Sequence, residues 1–142
     1  MKVYQHQKDM NGCGIACLAN LLELPYDKVK KDFEKRFYTI EKGINIADMA
    51  RYINLKQKRK YVSKFFNKKT YDAKEAKQYS EIDKSITLIV RSEKYRVGHY
   101  LLRDGGAWVD SWVNFPSIDN VHAGLRSKLP ENVFYVLYPR SE

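Results

Sequence analysis

Cys13 and Cys17 are the two cysteines of this 142-residue chain, and their settings differ. A cysteine attacks as its thiolate, so a nucleophilic cysteine needs surroundings that pull its pKa below the ordinary value of about 8.5. Cys13 follows an Asn11-Gly12 turn signal and opens an apolar run that reaches Leu24. A helix starting there would offer Cys13 its unpaired first-turn amides and the positive end of its dipole. Gly12 and Gly14 on either side leave room for a substrate backbone. Cys17 falls one helical turn deeper and is expected to be buried and inert. Side chains four apart on a helix project nearly in parallel, which suits a disulfide poorly. The Cys-x-x-x-Cys pair has no adjacent Cys or His pair to complete four zinc ligands. Neither a metal nor an organic cofactor is therefore expected.

A nucleophilic cysteine also needs a base and a group to orient that base. His99 lies in the apolar stretch Val97-Gly98-His99-Tyr100-Leu101-Leu102, where the adjacent glycine suggests a close approach by another group. Asp104-Gly105-Gly106 is a hairpin signal. A hairpin centred near Gly105 pairs residues whose numbers sum to about 209 or 210, which brings Asp110 to the level of His99. Asn114 and Asp119 are the alternatives for the orienting group, and His122 is the alternative base. The oxyanion would take the Cys13 backbone amide and a side-chain amide from the lead segment, where Gln5 and Gln7 both lie. Trp108 and Trp112 flank Asp110 either as hydrophobic anchors or as lining of a substrate cleft. His6 is expected on the surface.

These groups need elements to hold them. Cys13 to Leu24 is apolar in nearly every direction around a helix, which places that helix in the middle of the protein. Pro25 stops it and opens a second helix, in which Tyr26, Val29, Phe33 and Phe37 recur at helical spacing. Gly43 breaks the chain, and Ile46, Met49, Ala50 and Ile53 form a third helix capped by Asn45. Strands are expected at residues 86–90, 97–102, 107–109 and 133–138, with a polar loop region from Asp110 to Pro130. Helices thus come first and strands later, which indicates an α+β fold: an antiparallel sheet packed on the central helix, in a single domain over residues 1–142.

The formal charge of +9 attracts nucleic acid, anionic membrane or acidic proteins. Its densest part is residues 56–69, where lysines and Arg59 alternate with Tyr61, Phe65 and Phe66. That stretch is read as a solvated edge strand, with contact to an acidic protein or single-stranded nucleic acid as the alternative. A hydrophobic fraction of 44% and eleven tyrosines exclude a disordered chain. No stretch is apolar enough to span a bilayer, and the N-terminus has no secretory apolar run, so a cytoplasmic location is expected.

The segment from Gln7 through Asn11-Gly12-Cys13-Gly14-Ile15-Ala16-Cys17-Leu18-Ala19 resembles the opening of the C39 peptidases. These are papain-like cysteine peptidases that remove double-glycine leaders. In that family a glutamine stands six residues before the nucleophile, a position that Gln7 matches and Gln5 does not. Gly98-His99-Tyr100-Leu101-Leu102 resembles the family's histidine strand, and Val109-Asp110 its later Val-Asp-Pro motif. The resemblance runs from about Val3 to Val113 and keeps the order Gln, Cys, His, Asp. Two positions depart from it: Gly12 stands where an aspartate is usual, and Ser111 where a proline is. The resemblance implies a papain-like fold in which Cys13, His99, Asp110 and Gln7 cleave a peptide or amide bond of a peptide or protein substrate. Protein glutamine deamidation on the same triad, and a catalytically inactive papain-like binding module, are the competing readings.

Overall fold

The computed structural model describes residues 2–141. It is an α+β structure with four α-helices and a six-stranded antiparallel sheet. The first helix, α1, is Cys13–Leu22 and starts where the apolar run starts. Glu23, in the left-handed conformation at φ 56°, ends it two residues before Pro25. Ile15, Ala16, Leu18 and Ala19 of α1 are all fully buried. Each leucine- or isoleucine-sized side chain removed from water in this way contributes roughly 1.5–3 kcal/mol. Pro25 is the N-cap of α2, Tyr26–Arg36, which turns Tyr26, Val29 and Phe33 inward. Asn45 caps α3, Ile46–Lys56, by accepting the Asp48 amide at 2.9 Å.

The strands are β1 (Tyr61–Phe65), β2 (Ile86–Ile89), β3 (His99–Asp104), β4 (Ala107–Asp110), β5 (Gly124–Arg126) and β6 (Val133–Pro139). Their order across the sheet is β1-β6-β2-β3-β4-β5. One face, carrying Ile86, Leu102, Val109 and Leu137, packs with α1, α2 and α3 in the main core. The other face carries Ile89, Leu101 and Trp108, covered by Tyr95 and Phe115 from the loops. On that same side α4, Ala73–Ser80, packs Ala76 against Val133 and Val136 of β6 with Phe66.

Three features differ from the sequence expectation. Helices and strands are not cleanly segregated, because β1 precedes α4. The long polar loop is interrupted by β5, which pairs with β4. The hairpin pairs Leu102 with Val109 and Asp104 with Ala107, one residue beyond the expected register.

Part of the basic stretch is held by the fold. β1 is an edge strand, as the favoured reading had it. Lys56 pairs with Asp32 at 2.6 Å, and Lys64 pairs with Glu75 while lying over Phe66 and Tyr79. No helix among the described residues is long and apolar enough to cross a membrane.

Candidate active site

The site forms where the N-terminus of α1 meets the start of β3. Cys13 is the first residue of α1 and is partly exposed. Gly12 is the N-cap, and no side chain accepts the first-turn amides; that turn also holds no acidic residue. An aspartate or serine cap would occupy those amides, so its absence leaves them and their positive partial charge to a thiolate or an oxyanion.

Gly12 also answers a packing demand. A Cβ on it would lie 2.0 Å from the Tyr26 hydroxyl oxygen. That hydroxyl donates to Asp9 at 2.7 Å, and Lys30 donates to the same carboxylate at 3.0 Å. The tight turn before Cys13 is thus bolted to α2 through the space an aspartate side chain would need. Gly14 works the same way on the other side, since its Cβ would lie 2.6 Å from Ile44. Ile44 is further fixed by its carbonyl, which accepts the Tyr100 hydroxyl at 2.9 Å.

His99, first residue of β3, is buried, and its Nε2 meets Asp110 Oδ1 at 2.7 Å. Nδ1 is the ring nitrogen that Asp110 does not engage. The register explains this geometry. With Leu102 opposite Val109, Asp110 stands opposite Leu101, diagonal to His99 rather than directly across. Side chains alternate faces with period two, so a displacement of two residues keeps Asp110 on the His99 face.

Asp110 is fully buried and has three partners: His99, the Trp112 amide at 3.0 Å and Arg126 Nε at 2.7 Å. The ring of Tyr95 stacks on His99 with centroids 5.2 Å apart and planes at 17°, and Phe115 stacks behind Tyr95.

The charges in the site follow from these contacts. Burial pushes the Cys13 thiol up, but the neighbouring His99 more than reverses this, so its pKa lies below the ordinary value. Burial pulls His99 down, while Asp110 and Cys13 together push it up to about 10. Asp110 is also penalised by burial, yet His99, Arg126 and the Trp112 amide hold it at about 2. Burial moves Cys17 the other way, well above the ordinary thiol value. The two cysteines are thus shifted in opposite directions, Cys13 toward the thiolate and Cys17 toward the neutral thiol.

Gln7 lies in the same place as Cys13, and Gln5 does not. The Gln5 side chain ties the lead segment to the α1–α2 turn, donating to the Leu24 carbonyl and accepting the Tyr26 amide. Gln7 is buried beside the cleft, with its Oε1 accepting the Ser111 hydroxyl at 2.8 Å. Its Nε2 donates to the carbonyls of Asp9 at 2.9 Å and Met10 at 3.0 Å. The amide lines the same cleft as Cys13 but is already engaged, and an oxyanion would have to displace one of those carbonyls. Ser111, the departure after Asp110, is what seats it.

The alternatives lie elsewhere. His122 is exposed, and its Nδ1 faces the Asn120 carbonyl. Asn114 donates within its own loop, to the carbonyls of Asp119 and Asn120. His6 is exposed. Of the tryptophans, Trp108 is a buried anchor stacked under Arg103, whereas Trp112 lines the cleft. Arg126 and Tyr95 are the two site residues that sequence reasoning missed. Arg126 sits on a three-residue strand and Tyr95 in a loop, so neither carries a periodic signal.

The cleft beside Cys13 and His99 has a volume of 1040 Å³. It is lined by Tyr38 and residues 41–46, by Arg91 and residues 93–98, and by Leu88, Phe134 and Tyr135. Among the described residues no cluster of three or more His, Cys, Asp or Glu is arranged to hold a metal. No protein-family model matches the chain, and no curated protein sequence matches it.

Proposed function

We propose that this chain is a cysteine hydrolase of peptide or amide bonds, with a papain-like fold of the C39 type. The observation that carries the reading is the His99–Asp110 pair, its carboxylate buried, lining the same cleft as Cys13 at an uncapped helix N-terminus.

In this mechanism the Cys13 thiolate attacks the substrate carbonyl carbon, and the π-electron pair moves onto the carbonyl oxygen. The Cys13 amide binds that oxyanion, joined by Gln7 Nε2 once it gives up a turn carbonyl. His99 then passes its proton to the leaving nitrogen as the C–N bond breaks, which leaves a thioester on Cys13. Water attacks the thioester, His99 takes a proton from it, and the thiolate is expelled with the acid product. Asp110 stays ionised throughout and holds the imidazole.

The cleft supports a peptide or protein substrate. Its volume sits at the large end of the range for small-molecule pockets, and it is lined by segments from several parts of the chain. Deamidation uses the same steps with ammonia as the leaving group. The test is mass spectrometry of a peptide mixture incubated with the protein, with ammonia assayed in parallel. New termini absent with Cys13→Ala support peptide cleavage, and ammonia without chain scission assigns deamidation. Neither product at any peptide length would favour the inactive binding module.

A further inference from the structure

Only one oxygen of Asp110 serves His99. Oδ1 meets His99 Nε2 and accepts the Trp112 amide, whereas Oδ2 accepts Arg126 Nε at 2.7 Å. The carboxylate is fully buried, so protein groups alone decide how it is turned. The same guanidinium reaches further: its Nη2 lies 3.5 Å from the Tyr95 hydroxyl and 3.5 Å from the Val113 carbonyl. Tyr95 is the ring stacked on His99. A single side chain from β5 therefore touches both groups that hold the imidazole, one at its edge and one at its face.

β5 is brought there by close packing. Gly124 pairs with Asp110, and a Cβ on Gly124 would lie 2.7 Å from the Val113 side chain. The strand can pass against Val113, in the segment after β4, only because that position is glycine.

We propose that Arg126 is a positioning residue for the Cys13–His99 pair: it turns Asp110 and seats Tyr95 so that the imidazole presents Nδ1 to the thiol. The inference rests on the catalytic reading of that pair. The groups that face Asp110 are His99 from β3, Arg126 from β5, Cys13 and Cys17 from α1, and the Tyr95 phenol from the loop before β3. Arg126 is the one fixed cation among them. Without it a fully buried carboxylate keeps His99 and one amide as partners, and protonates more readily.

The experiment compares wild type, Arg126→Gln and Arg126→Lys, each checked for folding. It records the Asp110 carboxyl titration by NMR and the pH profile of Cys13 alkylation. In Arg126→Gln the Asp110 titration should move up by about one unit or more. The acid limb of alkylation should follow, with a rate about tenfold lower on that limb, since one pH unit is a factor of ten. Arg126→Lys keeps the charge without the planar fork and should fall between the two. If Arg126→Gln does not fold, a smaller shift in the same direction in Arg126→Lys carries the inference. Variant profiles that superimpose on a reactive wild type, with only thermal stability reduced, would overturn it and leave the catalytic reading intact. A wild-type Cys13 of ordinary thiol reactivity would overturn the catalytic reading itself, and this inference with it.

Discussion

Gly12 shows how a single residue sets the site. Its missing side chain lets the Tyr26 hydroxyl cross the turn to Asp9, and this fixes where α1 begins and where Cys13 points. Gly12→Asp would force a Cβ into a tyrosine that is itself buried and cannot swing away. The expected loss is about 1–3 kcal/mol of stability, the range for overpacking, read as a lower denaturant midpoint with an unchanged slope. Adding Tyr26→Phe should return part of that loss, because the two positions compete for one space. The positions of the candidate-site residues were largely legible in the sequence: Cys13 at the start of an apolar helix, and His99 and Asp110 on the two strands of one hairpin. The choice between Gln5 and Gln7 came from resemblance alone, since nothing in their local sequence distinguishes them. Their opposite engagements, one with the α1–α2 turn and one with Ser111, are tertiary facts.

Among the elements, legibility followed the strength of the hydrophobic pattern. α1, α2 and α3 bury residues at helical spacing, and each begins where its sequence signal lies. α4 buries only Ala76 and Ser80, both small, so its pattern of apolar residues is too faint to read. The signal it does carry is its cap, Asp72, whose side chain accepts the Lys74 and Glu75 amides. β5 spans three residues with a single apolar side chain, Leu125, which is exposed. It exists because β4 offers it an edge, and no local propensity announces that. The hairpin register was off by one residue from the larger estimate and two from the smaller. Asp110 reaches His99 because a shift of two preserves the face, so the parity mattered more than the pairing.

At the scale of the whole molecule, the ionisable groups in its interior tie stability to pH. Asp104 is penalised by burial but receives Lys84, Tyr4 and Lys2, and its carboxyl is held well below the usual 3.8. Asp110 is held at about 2. A carboxyl whose folded pKa is depressed stabilises the fold above its unfolded pKa and loses that contribution as pH falls through the folded value. The denaturant midpoint should therefore drop steeply from about pH 4 downward. Asp104→Asn should cost about 2 kcal/mol at pH 6, in the range for hydrogen bonds to a charged group, and should make that acid limb shallower. His99 and Cys13 oppose one another near neutrality. The raised His99 pKa gives stability that is complete below about 6.5 and lost as pH rises through about 10, while the lowered Cys13 pKa gives stability that is lost as pH falls.

The account turns on an ionised Cys13–His99 pair, and the direct measurement is the rate of iodoacetamide alkylation at Cys13 from pH 4 to 9. Cys17 is replaced by alanine throughout, and His99→Ala is the control. The account predicts rapid alkylation that persists below pH 6, well under the titration of an ordinary thiol at about 8.5, and that slows sharply in His99→Ala. A single titration at the ordinary thiol value, the same with and without His99, would contradict it.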